Sequence, residues 1–270
     1  MKQVPRFPAE VTMTPAAAKH RTAESILVPG HDCPIDLTIF VSCYNERPYI
    51  VKTLNTLRGA LAELSFTYEI IVIDDCSRDA SADLVEDYIR ANPTERILLR
   101  RNNVNIGWAQ NFIDAAFMGK GTYYRVICGD ASEPKETMVK VFQEIGNADI
   151  IIPYYVTNEG CGWHRGFLSN AYTKLVNLIS GFRLRYYNGL AVHLRYNVMR
   201  WHSNTRGFGV QAEIICLLLE QGFTFKEVPV FAIEQKGNST ALTFKNVLSI
   251  GHTLFDIGVR RLANWVDRRR

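Results

Sequence analysis

Three acidic residues in the first half of the chain share one feature, because each closely follows an apolar, β-rich run. They are Glu46, Asp75 and Asp130. An ionised carboxylate only accepts hydrogen bonds, so these side chains select N–H and O–H donors on a ligand. Carboxylate oxygens are also the ligands that Mg²⁺ and Mn²⁺ prefer. The three residues therefore predict a polar binding site, in which Asp130 is the ligand of a divalent cation.

The apolar runs before these acids alternate with segments of helical periodicity. We predict strands, with helices between them, at residues 37–42, 68–73, 96–99, 123–128 and 149–153. Such alternation is typical of an α/β fold with a mainly parallel sheet covered by helices. Ligands of these folds bind beyond the carboxyl ends of the strands, so we expect the three acids to lie together there. Taken singly, each acid has a simpler interpretation as a helix cap or a turn residue.

The second half of the chain alternates less regularly. Helices are predicted at residues 167–179 and 211–221, and strands at residues 188–194 and 223–233. The last of these strands contains Pro229, which cannot donate to a neighbour and therefore indicates a sheet edge. From Leu242 onward apolar residues again keep helical spacing, which predicts a final amphipathic helix. We accordingly divide the chain into an N-terminal extension of residues 1–35, a main domain of residues 36–240 and a basic C-terminal helix of residues 241–270.

The net charge of +4 is confined to the C-terminal segment. From residue 241 onward there are six basic and two acidic side chains, so the preceding 240 residues are neutral. The absence of net charge over these 240 residues argues against nucleic acid as a partner, because affinity for nucleic acid depends on neutralising phosphates. The basic segment predicts instead an anionic partner such as a membrane surface.

Cysteine usage and hydropathy predict where the protein is found. The six cysteines form no Cys-x-x-Cys pair, which indicates reduced thiols in a cytosolic protein. Residues 1–32 are polar and contain four prolines, unlike the apolar core of a signal peptide. No stretch stays apolar over the roughly 18 residues that a membrane span needs. We therefore expect a cytoplasmic protein that at most lies on the inner face of a membrane.

Four motifs follow one another in an order that resembles the family 2 glycosyltransferases. They are FVSCYNE at residues 40–46, DDCSRD at residues 74–79, NIGWAQN at residues 105–111 and CGD at residues 128–130. The resemblance covers roughly residues 36–155 and implies the GT-A fold, a Rossmann-like α/β architecture that binds a nucleotide sugar. It also implies a UDP- or GDP-sugar donor, Mg²⁺ or Mn²⁺ as cofactor, and transfer with inversion of the anomeric centre.

The same resemblance implies roles for individual residues. Glu46 and Asp75 would accept hydrogen bonds from the base and the ribose, and Asp130 would ligate the cation that spans the diphosphate. The residues expected to bind the nucleotide sugar are Ser42, Tyr44, Glu46, Asp75, Asn105, Gly107, Gly129 and Asp130.

Three positions depart from the family pattern. Cys128 replaces the first Asp of the usual Asp-x-Asp motif, Cys76 replaces a Gly, and Ser42 stands where Pro is common. One carboxylate binds a metal ion more weakly than two. Cys128 therefore predicts either that the diphosphate supplies more of the coordination or that the metal is dispensable.

The C-terminal half resembles the dolichol- and polyprenol-phosphate branch of the family, through FGVQAE at residues 208–213, FKEVPV at residues 225–230 and GNS at residues 237–239. The catalytic residues that we expect are Asp130, Glu213 and Arg165. Glu213 would be the general base if the acceptor is a sugar hydroxyl. A phosphate acceptor is already ionised and needs no base, and Glu213 would then be structural or metal-linked. In that case Arg165, His164 and Lys236 would bind the phosphate.

Three functions stay open at this point. The first is transfer of a sugar to a polyprenyl-phosphate-type lipid, and the second is the same chemistry on a glycan hydroxyl. The third, which Cys128 keeps open, is a degenerate GT-A domain that binds nucleotide without turnover. The C-terminal helix has two interpretations as well. It either packs on the main domain or lies at an anionic membrane, with Phe255, Trp265 and the terminal arginines at the surface.

Overall fold

The computed structural model describes residues 35–156, 163–201, 209–231 and 244–267, without the side chains of residues 163–167, 244–250, 264–265 and 267. In chain order the elements are β1 (Leu37–Cys43), α1 (Ile50–Leu61), β2 (Tyr68–Asp74), α2 (Ser81–Ala91), β3 (Ile97–Arg101), α3 (Trp108–Met118), β4 (Tyr123–Cys128), α4 (Lys135–Phe142), β5 (Ile150–Tyr155), α5 (Trp163–Ser180), β6 (Val192–Leu194), α6 (Arg195–Arg200), α7 (Val210–Glu220), β7 (Phe225–Val230) and α8 (Phe244–Asp267).

The described strands form one sheet of seven, in the order β3-β2-β1-β4-β6-β5-β7. β1 lies parallel to both β2 and β4, β2 is parallel to β3, and β5 is parallel to β7. Among these seven strands only β6 is reversed, since it pairs antiparallel with β4 and with β5. The predicted α/β fold with a mixed, mainly parallel sheet is therefore confirmed. Pro229 lies in the edge strand β7, as its chemistry requires.

Helices cover both faces of the sheet, which explains why its strands are apolar on both sides. Alternate residues of β1 point to opposite faces. Leu37, Ile39 and Val41 belong to the core formed with α1, α2 and α4, whereas Phe40 belongs to the core formed with α3, α5 and α7. All four side chains are fully buried. These two cores fix the positions of the strand ends, and the strand ends carry the acids.

The C-terminal helix α8 is present as predicted and packs on α5 and α7. Its Ile257 is fully buried in the core that also contains Val176 of α5 and Ile214 of α7. Close packing before α7 requires a glycine, because a Cβ at Gly209 would collide with the side chain of Thr253. Along the described ranges no helix, α8 included, has both the length and the apolar character needed to cross a membrane. The division of the chain into three segments remains a prediction, and residues 1–34 lie outside the described part.

The region around residue 190 differs from the sequence expectation. The strand predicted at residues 188–194 is reduced to the three residues of β6, and α6 follows it directly without having been predicted. A strand of three residues and a helix of six residues are too short to show a periodic pattern of apolar residues. Pairing with β4 and β5 in the centre of the sheet stabilises β6 instead.

His193 of β6 is the main titratable group of this central region. Its side chain is fully buried, and its ring lies edge-on to Phe112 with 6.4 Å between the ring centroids. Burial disfavours the charged imidazolium and lowers the pKa of His193 to about 4, which the neighbouring Gln211 offsets only in part. The folded protein therefore contains neutral His193.

We predict that acid destabilises the fold through His193. Because the pKa of His193 is lowered to about 4 in the folded state, its stabilising contribution is complete above about 6.5 and is lost as pH falls towards 4. The loss should be about 3 kcal/mol, at about 1.4 kcal/mol per pKa unit. Urea unfolding between about pH 7 and pH 4 should give a shallower pH dependence for His193→Gln than for the wild type. Equal slopes for His193→Gln and the wild type would contradict the prediction.

Candidate active site

The three acidic segments lie side by side at the carboxyl edge of the sheet. β1 is the central strand of three, and its last residues pair with the last residues of β2 and of β4. The chain therefore leaves three adjacent strands at one level. Glu46, Asp75 and Asp130 lie in the loops that follow, so the structure brings them to one edge as the sequence predicted.

Each of these strand ends contains a residue other than glycine in the left-handed backbone region. They are Asn45, Cys76 and Ala131, with φ angles of 59°, 65° and 55°, and the described ranges contain no others. A side chain disfavours this conformation, at a cost of about 1–3 kcal/mol per residue. Such strain persists only where the surroundings fix it, and it is concentrated at functional sites. Its presence at all three ends supports a binding site there.

Hydrogen bonds between loops fix the end of β1. The N–H of Asn45 donates to Ser77 Oγ at 2.9 Å, and Asn45 Oδ1 accepts from the N–H of Arg78 at 2.8 Å. The N–H of Glu46 donates to Ser81 Oγ, in the first turn of α2, at 2.8 Å. Glu46 is therefore positioned by the segment that follows β2 as well as by its own strand.

Asp75 is buried and receives three hydrogen bonds from the chain between β3 and α3. Oδ1 accepts from Asn102 Nδ2 at 2.8 Å and from the N–H of Ile106 at 2.9 Å, and Oδ2 accepts from the N–H of Gly107 at 2.9 Å. Burial by itself would raise the pKa of Asp75, but the hydrogen bonds outweigh burial and lower it. Asp75 is thus an ionised side chain whose first task is to hold this loop.

Two other residues of the expected donor site depend on Asp75. Asn105 Nδ2 donates to the carbonyl oxygen of Asp75 at 3.2 Å. The N–H of Gly107 donates to Asp75 Oδ2, and the φ angle of 89° at Gly107 would strain any other residue. A carboxylate has about four acceptor positions, and the loop together with Asn111 occupies most of those of Asp75. The direct contact with a base that the sequence predicted is therefore secondary to the organisation of the loop.

The turn after β4 is held by α1. Thr53 Oγ1 donates to the carbonyl oxygen of Gly129 at 2.9 Å and accepts from the N–H two residues further on at 3.0 Å. Gly129 has no room for a side chain, because a Cβ would lie 2.6 Å from the carbonyl oxygen of Ser42. Asp130 Oδ1 accepts from the N–H of Ser132 at 3.0 Å. Asp130 therefore has the turn role that its simpler interpretation gave it, in a turn that β1 and α1 hold in place.

Negative charge accumulates around Asp130. Burial raises the pKa of Glu46 to about 7, and repulsion from Asp130 and Asp79 adds to the increase. Burial also raises the pKa of Cys128 to about 12, and Asp130 again acts in the same direction. The Cys128 thiol is consequently neutral and does not replace the carboxylate of the family pattern. A cation, or hydrogen-bond donors on a ligand, would relieve the repulsion between Glu46 and Asp130.

The donor atoms at this edge fit a metal ion that is shared with a ligand. In the part of the chain that the structure describes, no group of three or more His, Cys, Asp or Glu side chains is arranged to hold a metal ion alone. Mg²⁺ is commonly held by one or two carboxylates together with water and substrate phosphate oxygens. Asp130, with Glu46 beside it, fits this second kind of site.

A buried ion pair behind the turn was not identified from the sequence. Arg125 of β4 is 1% exposed, and its Nη2 donates to Glu133 Oε1 at 2.7 Å while its Nε donates to the carbonyl oxygen of Leu190 at 3.0 Å. Burial raises the pKa of Glu133, and the charge of Arg125 opposes that increase. Removing one partner of such a pair costs several kcal/mol, so the pair fixes the far end of the turn that carries Asp130. The available signal was an arginine inside the apolar run of β4.

Glu213 is buried in the first turn of α7. The last turn of α7 leads to Thr224, whose carbonyl oxygen accepts from the N–H of Ile150 at the start of β5. The first turn of α7 therefore points towards the carboxyl edge. Glu213 Oε1 lies 3.6 Å from Nη2 of Arg260 in α8. The structure thus places the expected general base in a buried ion pair.

The remaining predicted residues fall into two groups. Tyr44 is exposed after β1, and the carbonyl oxygen of Ser42 accepts from the N–H of Gly129 at 2.9 Å. The side chains of Arg165 and His164 lie outside the described part, and so does Lys236 with the surrounding residues 232–243. The donor half of the expected site is therefore described in detail, and the acceptor half only through Glu213.

Comparisons with known proteins agree with this architecture. A model of the family described as glycosyl transferase family 2 matches residues 38–203. The chain is 33% identical over 107 residues to a dolichyl-phosphate beta-glucosyltransferase of Dictyostelium discoideum, which covers 37% of this chain and 33% of that protein. It is 24% identical over 153 residues to an undecaprenyl-phosphate 4-deoxy-4-formamido-L-arabinose transferase of Aeromonas hydrophila, which covers 56% of this chain and 46% of that protein. The chain thus matches less than half the length of either relative.

A solved structure shares the fold at low sequence identity. It is the glucosyl-3-phosphoglycerate synthase of Mycobacterium tuberculosis in complex with Mn²⁺, UDP and glucosyl-3-phosphoglycerate. The TM-score is 0.58 at 12% identity, over 84% of this chain and 80% of that chain. At such low identity the structural similarity is evidence for the fold alone. Together with the sheet order, this similarity confirms the expected GT-A architecture.

Asp75→Asn should weaken both the loop before α3 and nucleotide binding. The amide would turn an NH₂ group towards the N–H groups that now donate to Asp75. A buried polar group left mispaired costs about 1–3 kcal/mol, which corresponds to about a 5- to 150-fold loss of affinity. Calorimetry with the preferred nucleotide and a thermal melt should show both effects. Asp87→Asn, at an exposed position of α2, is the matched control and should show neither. Unchanged affinity in Asp75→Asn would remove Asp75 from the site.

Proposed function

The chain belongs to glycosyl transferase family 2, and on this premise we propose that it transfers a sugar from a UDP- or GDP-sugar to a polyprenyl-phosphate-type lipid, with inversion. The observation that carries the proposal is the convergence of Glu46, Asp75 and Asp130 at three adjacent strand ends with strained backbone. Such an edge suits a ligand that has hydrogen-bond donors and also an anionic group that coordinates a cation. A nucleoside diphosphate has both properties.

The donor half of the mechanism follows from how these residues are held. Asp75 keeps the loop with Asn105 and Gly107 in place, so a nucleoside that lies against the loop meets a rigid surface. Glu46 and Asp75 accept hydrogen bonds from the base and the ribose. Positions that are fixed before the ligand binds cost no reorganisation during the reaction, which favours transfer.

Asp130 would hold Mg²⁺ or Mn²⁺ together with the diphosphate. The cation would supply neutralisation of the charge that develops on the departing nucleoside diphosphate. The chain contributes the position of Asp130, through the bonds of Thr53 to the turn and the buried pair of Arg125 with Glu133. Because Cys128 is neutral, the diphosphate must supply more ligands than in relatives with two Asp residues.

The acceptor assignment rests on the state of Glu213. A sugar hydroxyl needs a base to remove its proton, whereas a phosphate acceptor is already ionised. Glu213 is buried and lies beside Arg260, so its position fits a structural role. The two relatives, a dolichyl-phosphate and an undecaprenyl-phosphate enzyme, support the same acceptor class. Such a lipid is presented at a membrane, so we place the protein at a cytoplasmic membrane face.

A transfer assay tests this proposal directly. Purified protein is incubated with labelled UDP- and GDP-sugars, Mn²⁺ or Mg²⁺, and undecaprenyl phosphate in detergent. Label in the organic phase supports the proposal. Label on an added glycan instead would favour the hydroxyl acceptor. A nucleotide that raises the melting temperature without transfer or hydrolysis would favour a binding domain without turnover.

Asp130→Ala should abolish transfer and metal stimulation while the melting temperature changes little. The hydrogen bond that Asp130 accepts from the N–H of Ser132 contributes about 1 kcal/mol, and removing Asp130 also relieves its repulsion of Glu46, whereas the cation would lose its carboxylate ligand. The same assay with and without EDTA and a thermal melt measure the two effects. Asp87→Ala, on the surface of α2, should keep both properties. A large loss of stability with residual metal-stimulated transfer would instead assign Asp130 to the turn alone.

Glu213→Gln separates the two acceptor classes. Glutamine keeps the size of the side chain and its hydrogen-bonding oxygen but cannot act as a base. With a phosphate acceptor we expect turnover within about tenfold of the wild type, since no proton has to be removed. A loss of more than about a hundredfold in kcat, with the KM of the donor unchanged, would identify Glu213 as a general base and favour a glycan hydroxyl.

A further inference from the structure

α8 carries apolar side chains on the side that faces away from the protein. The α8 stripe consists of Phe255, Val259, Leu262 and Val266, which are 68%, 49%, 63% and 41% exposed. Successive residues of an α-helix are turned by about 100°, so these four lie within a sector of about 60°. The fully buried Thr253 and Ile257 lie on the opposite side of the same helix. A helix that only packed on the protein would carry polar residues on its outer side.

α5 repeats this arrangement. The α5 stripe consists of Leu168, Leu175 and Leu178, which are 41%, 42% and 77% exposed. It lies across the helix from the buried Thr173, Val176 and Ser180. In the described ranges 17 large apolar side chains are exposed, and seven of them belong to these two stripes. Exposed apolar side chains are common singly, but their concentration on two helices marks an interaction surface.

The two stripes belong to neighbouring helices that are fastened to each other. Nη1 of Arg261 in α8 donates to the carbonyl oxygens of Leu178 and Ile179 at the end of α5, at 3.3 Å and 2.7 Å. Ile257 of α8 and Val176 of α5 are buried in the same core. The two helices, and with them the two stripes, therefore keep a fixed relation to each other.

The charges near this surface indicate what covers it. α5 contains no acidic residue, and its basic residues are Arg165 and Lys174. α8 contains three basic residues, of which Arg260 pairs with Glu213, and two acidic residues, of which Asp256 pairs with His252. Three arginines at residues 268–270 follow α8 directly. A second copy of the chain would bring this positive charge against itself, whereas an anionic bilayer attracts it and accepts the apolar side chains.

We propose that the α5 stripe and the α8 stripe form one membrane-docking surface, which lies in the headgroup region of an anionic bilayer. The sequence predicted membrane contact for the C-terminal helix alone, and the structure adds α5 to that surface. The surface brings the enzyme to a lipid acceptor, and in this respect it rests on the proposed function. Docking itself requires neither donor nor turnover, so it can be tested separately.

Co-sedimentation of the full chain with vesicles tests the proposal. Vesicles of phosphatidylglycerol and phosphatidylcholine in equal amounts should bind the protein at low salt and release much of it at high salt, because charge attraction is screened. Phosphatidylcholine alone should bind it weakly. The pair Phe255→Ser with Leu262→Ser, and separately the pair Leu175→Ser with Leu178→Ser, should each lower the partition coefficient about tenfold or more. Deleting residues 267–270 should weaken binding at low salt only.

Phe117→Ser on α3 is the matched control, since Phe117 is 56% exposed and lies outside both stripes. It should bind vesicles like the wild type, and every variant should hydrolyse the free nucleotide sugar at the wild-type rate. The proposal is wrong if the wild type ignores anionic vesicles or if the α5 pair binds like the wild type. A dimer without vesicles that the stripe variants dissociate would assign the surface to a second copy and also overturn it. Vesicle binding by a protein that transfers no sugar would support docking and count against the proposed function alone.

Discussion

Like charges brought to one edge of the sheet are the constraint on which the rest of the site depends. Parallel pairing of β1 with β2 and β4 places Glu46 near Asp130, and burial together with this repulsion raises the pKa of Glu46 to about 7. Flexible loops would move apart to relieve the repulsion. The buried cores on both faces and the bonds between loops prevent that movement. The edge is therefore complementary to cations and to hydrogen-bond donors before a ligand arrives.

Cys128 shows how fold stability and metal binding oppose each other at such an edge. A carboxylate at this position would stand beside Asp130 and near Glu133, in a site where burial already penalises charge. The neutral thiol spares the folded chain that repulsion, but it also removes a metal ligand. The charge of Glu133 is compensated by Arg125, which lies inside the sheet. A carboxylate in place of Cys128 would need a similar partner, whereas the neutral thiol of Cys128 does not. In the proposed function Asp130 is the remaining carboxylate of this motif, and its hold on a cation would depend more on a bound diphosphate.

Much of the fold and the donor edge could be predicted because both depend on local patterns. Alternating apolar runs located the strands, and the parallel sheet they imply brings Glu46, Asp75 and Asp130 together. The main task of Asp75 could not be predicted, since its partners lie about thirty residues further along the chain and are largely backbone N–H groups. Arg125 and Glu133 lie close together in the sequence, but the only sign of their pair was an arginine inside the apolar run of β4. The partner of Glu213 comes from a different helix, which a sequence pattern does not reveal.

The two opposite sides of α8 make different contacts. On its inner side Ile257 packs in the core, and Arg260 contacts Glu213 in the first turn of α7. That turn points towards the carboxyl edge of the sheet. Its outer side carries Phe255 and Leu262 away from the protein. A single rigid helix with these two sides holds the apolar surface at a constant distance from Glu213. If the outer side of α8 contacts a bilayer, Glu213 is held at a fixed distance from the lipid headgroups. The phosphate of a polyprenyl lipid lies at the level of those headgroups, so the rigid helix would set the distance between this phosphate and the site.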